Sequence, residues 1–147
     1  MSTKLILVVK DSGSGYMKAD YWANQLAERV EDFYNEEFDK EVCDLKYKYS
    51  LGQKGMKKII DQYGTDIIVA CEWVSRLTNK PEEFPYFDSL VKKGVEFYFG
   101  YGSREFVWNK KEGEEQFKLL LGWAAETSKN KSILAKDSMK STKAGDK

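Results

Sequence analysis

Three short stretches carry the residues best suited to chemistry. The first, Asp11-Ser12-Gly13-Ser14-Gly15-Tyr16-Met17, lies between an apolar run and a helical pattern. Glycines let a backbone turn sharply and bring its N–H groups close to a ligand. A helix N-terminus adds unpaired donors and partial positive charge, and Ser12 and Ser14 add hydroxyls. Together these make a cup for one phosphate; the same residues also suit a tight strand-to-helix turn with Ser14 as N-cap. The third position of a dinucleotide-binding fingerprint is Lys18 rather than glycine, and no Gly-Lys-Ser/Thr of a Walker A loop follows. The second stretch is Glu72-Trp73-Val74-Ser75-Arg76, where a tryptophan at the end of a strand either packs into the core or offers a flat face to a ligand. The third is Gly100-Tyr101-Gly102-Ser103-Arg104-Glu105-Phe106-Val107-Trp108. Glycines followed by aromatics at the edge of a sheet suit a planar aromatic ligand.

Composition removes several rival chemistries. The chain has no histidine, so Ser-His-Asp and Cys-His nucleophile systems, His-containing zinc sites and His-x-Lys phosphodiesterase motifs are excluded. Cys43 and Cys71 lie in separate apolar runs and read as buried thiols. Metal binding is left to carboxylates, none of which has EF-hand spacing. Lys+Arg and Asp+Glu both number 24, which argues against a dedicated nucleic-acid binder. No run approaches the ~20 apolar residues of a membrane span. "MSTKLILVV" lacks the features of a cleaved signal, so the cytoplasm is the expected compartment.

The elements that must position these stretches alternate along the chain. Residues 4–9 read as a buried strand, and apolar positions from Ala19 to Phe33 extend a helix over 16–34. A second strand is expected at 40–50, a helix at 52–64 closed by Gly64, and a third buried strand at 65–71. A helix at 83–94, a strand at 95–102, a helix at 112–129 and a fifth strand at 131–136 complete the pattern. Such alternation predicts an α/β three-layer sandwich: a five-stranded parallel sheet of order 2-1-3-4-5 with helices on both faces. Residues 1–136 form one domain on this reading, followed by a polar, Lys-rich tail at 137–147. Ligands of such sheets bind beyond the carboxyl ends of the strands, where the three stretches fall.

These stretches resemble, in order and spacing, the flavodoxins, small flavin mononucleotide (FMN) electron carriers. The family's phosphate loop, Ser/Thr-x-Thr/Ser-Gly-x-Thr, is matched by Ser12-Gly13-Ser14-Gly15-Tyr16-Met17 in all but the last hydroxyl. Trp73 falls where the family places a tryptophan after strand 3, and Phe99-Gly100-Tyr101-Gly102-Ser103-Arg104-Glu105-Phe106 is similar to its Phe-Gly-x-Gly-Asp-x-x-Tyr. The resemblance implies that residues 12–17 hold the phosphate of FMN and that Trp73 and Phe106 sandwich its isoalloxazine. It implies that Glu72, Val74 and Ser75 flank the ring, and that Gly100, Tyr101, Gly102, Ser103 and Arg104 meet its pyrimidine edge.

The departures from the family pattern are specific. Met17 stands for a hydroxyl, Val74-Ser75 for a Gly-Asp pair whose peptide can flip, Phe106 for a tyrosine and Ser103 for an aspartate. They mark a divergent member, or one of viral origin. The implied function is electron transfer between a reductase and an acceptor protein, by a monomer that is not itself an enzyme and needs neither metal, membrane nor nucleic acid. The alternatives from other classes are a small flavin-dependent NAD(P)H oxidoreductase, a cofactor-free interaction domain of the same fold, and a catalytically dead phospholipase-D-like half-domain.

Overall fold

The computed structural model describes residues 3–10, 19–46, 48–100 and 105–127. β1 (Lys4–Val9) and β3 (Ile67–Cys71) pair in parallel at the centre of the sheet. Both are nearly unbroken aliphatic runs, because helices cover both of their faces and leave no side for polar residues. β2 (Asp39–Asp44) pairs in parallel with the other side of β1 and is largely exposed and charged, which guards a free edge against further pairing. β4 (Glu96–Phe99) pairs in parallel with β3. β5 (Phe106–Trp108) pairs antiparallel with β4 and completes the order β2-β1-β3-β4-β5.

The strand order is the expected one, but the sheet is mixed rather than all parallel. The fifth strand comes from the aromatic stretch read as a loop. Only residues 100–105 separate β4 from β5, whereas a crossover to a parallel neighbour needs about a dozen residues or more. The chain must therefore double back. The segment 131–136, expected as a strand, lies outside the described residues, as does the tail at 137–147. The strand expected at 40–50 ends at Asp44, whose Oδ1 accepts a hydrogen bond from the Lys46 N–H at 2.9 Å. Lys46 then turns through a φ of +57°, a side-chain-capped turn that no strand can continue.

α1 (Ala19–Tyr34) covers one face, packing Ala23, Leu26, Ala27 and Val30 onto Leu5, Leu7, Ile68, Ala70 and Tyr98. α2 (Gly52–Tyr63), α3 (Val74–Leu77), α4 (Phe84–Lys92) and α5 (114–127) cover the other. α2 stops as expected at Gly64, which has φ +80° and donates its N–H to Ile60 O at 2.8 Å. The largest core cluster stacks Trp108 on Phe117, with ring centroids 4.3 Å apart, and Trp108 on Phe84 at 5.5 Å. One row of residues crosses the full width of the sheet. Cys43, Val8, Cys71, Phe99 and Phe106 are successive partners across β2, β1, β3, β4 and β5.

Candidate functional site

That row runs along the carboxyl edge of the four parallel strands, on the face covered by α2 to α5. Phe106 stands opposite Phe99, and Phe99 opposite Cys71, so two strand spacings, about 10 Å, separate the ends of β3 and β5. Trp73 follows Cys71 closely and is therefore carried to the same place as Phe106. The two line one pocket of about 240 Å³, with Phe99 behind them and Glu72, Val74 and Ser75 beside them. α5 supplies the remaining wall through Gln116, Leu119, Leu120, Trp123 and Ala124. The walls are mostly aromatic and aliphatic, as binding sites for planar organic ligands are.

Local structure fixes how each residue arrives there. Trp73 caps α3 with an extended backbone (φ −130°, ψ 151°) and remains 38% exposed. Val74 opens the helix and is buried, so the Val74–Ser75 peptide is held in helical geometry, where a flip to positive φ is disfavoured for a β-branched residue. Gly100 does not line the pocket. It ends β4, donates its N–H to Cys71 O at 3.2 Å, and accepts a hydrogen bond from Arg29 Nη1 at 2.8 Å. A Cβ at this position would lie 2.8 Å from the Tyr98 ring, which accounts for the glycine. Beside it, the Tyr98 hydroxyl donates to the Glu105 carboxylate. Burial pushes the Tyr98 hydroxyl well above the ordinary phenol range.

Six of the sequence-predicted site residues are thus described: Glu72, Trp73, Val74, Ser75 and Phe106 in the pocket, and Gly100 beside it. Ser12, Gly13, Ser14, Gly15, Tyr16 and Met17, and likewise Tyr101, Gly102, Ser103 and Arg104, lie outside the described residues. Arg76 does not line the pocket; its guanidinium lies 4.9 Å from the Tyr49 ring and donates to Tyr49 O at 3.2 Å. Trp108, the tryptophan of the third stretch, is 0% exposed and belongs to the core.

The cysteines fit the expectation of structural thiols. Cys71 is fully buried and Cys43 half-buried, and burial raises the pKa of both. Both pair with Val8 from opposite sides, so their Cα atoms are about 10 Å apart, beyond disulfide reach. Among the described residues, no group of three or more His, Cys, Asp or Glu side chains is placed to hold a metal ion, and no helix is long and apolar enough to cross a membrane.

The α5 wall was missed by sequence reasoning, although a signal was present. Phe117 and Leu121 fill the core-facing stripe of that helix. Leu119 and Trp123 are surplus to it, four residues apart on the same side and 53% and 56% exposed. Apolar residues beyond the core stripe of a helix mark a second surface. No protein-family model, curated protein or solved structure matches this chain.

Proposed function

We propose that this chain is a flavodoxin-like FMN protein that carries electrons between a reductase and an acceptor protein. The observation that supports the reading most is the meeting of Trp73 and Phe106 in one apolar pocket at the carboxyl edge of the sheet. The sequence resemblance singles out the same two residues as the ring-binding pair. The pocket volume of about 240 Å³ is below the roughly 300–1,000 Å³ of sites that enclose a whole ligand. That suits a planar ring system whose ribityl phosphate extends outside the pocket.

When bound, the flavin supplies the redox chemistry; the protein supplies binding, orientation and electrostatics. Trp73, Phe99 and Phe106 offer flat apolar surface that excludes water from a ring. Electron-rich aromatics and the Glu72 carboxylate on the pocket wall both disfavour negative charge on such a ring, and so lower the potential of the step that creates it. Val74, locked in α3, removes the backbone flip by which the family can answer that charge. The exposed α5 wall leaves one side of the pocket accessible to a partner.

The test is the absorption spectrum of the purified full chain. A yellow protein whose chromophore is released on denaturation and co-migrates with FMN supports the reading. A colourless protein that takes up no FMN when it is added would overturn it.

A further inference from the structure

The carboxyl edge of the sheet carries a second feature beside the pocket mouth. Tyr49, 51% exposed, is flanked by two cations. Lys10 Nζ lies 5.8 Å and the Arg76 guanidinium 4.9 Å from its ring centroid. The turn that carries Tyr49 also carries Lys46 and Lys48, both exposed, and is held by the hydrogen bond from Lys48 N to Leu45 O at 3.0 Å. The carboxylates nearest in the chain are Asp11, next to Lys10, Asp44, whose Oδ1 accepts the Lys46 N–H, and Glu72 on the pocket wall. Among the described residues, the ion pairs are Lys4 with Asp39 and Glu41, Lys40–Glu31, Lys92–Asp88 and Lys118–Glu114. None neutralises Lys10, Lys46, Lys48 or Arg76. In a chain of formal net charge zero, these segments carry the four cations Lys10, Lys46, Lys48 and Arg76 against the three carboxylates Asp11, Asp44 and Glu72, an excess of one positive charge. The Lys48 and Arg76 charges also oppose the burial-raised pKa values of Cys43 and Cys71, which puts both cations close to the register row that ends in the pocket.

We infer that Lys10, Lys46, Lys48, Tyr49 and Arg76 form a docking surface for an acidic protein partner. An exposed aromatic held between unpaired cations is the composition that protein interfaces favour at their energetic centre, where Tyr and Arg are enriched. Unpaired positive charge steers an acidic surface toward it and fixes its orientation. Ser75, on the pocket wall, adjoins Arg76 in the chain, so a partner seated on this rim covers the approach to the pocket. The inference rests on the rim alone and needs no bound cofactor.

The probe is poly-L-glutamate, titrated into the ¹⁵N-labelled full chain at low salt and followed by amide shifts. Saturable binding with shifts centred on residues 46–50 and 76 is expected. Reversal of the turn charges in Lys46→Glu/Lys48→Glu should weaken it about tenfold, and about 1 M salt, where screening acts within about 3 Å, should abolish it. These lysines make no described side-chain bond, so the variant should keep its melting temperature; Tyr49→Ala, which keeps every charge, should also weaken binding. Lys92→Glu/Lys93→Glu changes net charge equally at the opposite edge of the sheet and should leave the affinity unchanged. No binding, shifts centred elsewhere, or equal weakening by the control reversal would overturn the inference. So would tighter binding of duplex DNA at the same residues, which would identify the polyanion as nucleic acid. Loss of polyglutamate binding with FMN uptake intact would remove the rim and leave the cofactor reading standing; the reverse result would do the opposite.

Discussion

Two aromatic clusters lie side by side on the same face of the sheet, and only one is closed. Trp108, Phe84 and Phe117 stack face to face, with Trp108 and Phe117 fully buried. Trp73, Phe106 and Trp123 surround an open pocket, and both tryptophans are substantially exposed. Phe106 and Trp108 belong to the same short strand with one residue between them, so both point to the same face. One cluster is closed by Phe84 and Phe117; in the other Phe106 packs on Phe99 at 5.1 Å, while Trp73 and Trp123 keep 38% and 56% of their surface exposed. Aromatic surface that the core does not consume is what separates the candidate site from packing.

The largest effect that can test this contrast is on the closed side. Trp108→Ala should destabilise the fold by about 3–5 kcal/mol, the cost of emptying a packed aromatic site, and lower the melting temperature by about 10 °C or more. Thermal unfolding checks it; a small shift would mean that the stack is not the core. Gly113 is a smaller lever on the same cluster. Its φ is +76°, and a Cβ there would stand 2.3 Å from Val107 O, so Gly113→Ala should destabilise the turn into α5 by about 1–3 kcal/mol in chemical denaturation.

The open side should respond in the reverse way. Leu119→Ser should change stability by no more than about 0.5 kcal/mol, because half of the side chain is already in water. If it unfolds the protein as Trp108→Ala does, the pocket is merely a flaw in core packing. The thiol beneath the pocket offers a pH-dependent check. Burial holds the Cys71 pKa above the ordinary 9.0. The folded state therefore keeps the proton while the unfolded chain releases it, and stability is full below 9.0 and falls as pH rises past that value. A Cys71→Ala variant should lose that share of the alkaline decline in pH-dependent denaturant unfolding.

Much of this was legible because local pattern carries it. The apolar runs of β1 and β3, the stripe of α1 and the glycine at the end of α2 announce themselves, and alternation of elements implies the strand order. The pairing of Trp73 with Phe106 was legible only through the resemblance to a family, since the strands that unite them are remote in the chain. β5 was missed because three aromatic and β-branched residues show no period. Its direction is decided by the length of the 100–105 connection, not by composition. Arg76 closes the second stretch in the chain but not the pocket, because Tyr49 holds it through both a ring contact and a backbone acceptor. The α5 wall was missed because the segment 112–129 was read only as a helix, without asking which of its apolar residues exceed a core stripe.

The most direct test of the account is titration of the full chain with FMN and, in parallel, riboflavin, followed by flavin fluorescence. Saturable quenching by the stacked aromatics is expected, with FMN bound more tightly than riboflavin because a charge-assisted phosphate contact adds about 1.5–3 kcal/mol. Trp73→Ala should keep its melting temperature, bind FMN about three- to tenfold more weakly and leave the bound flavin brighter, as loss of one stacking partner requires. Absence of saturable binding, or identical curves for wild type, Trp73→Ala and Phe106→Ala, would contradict it.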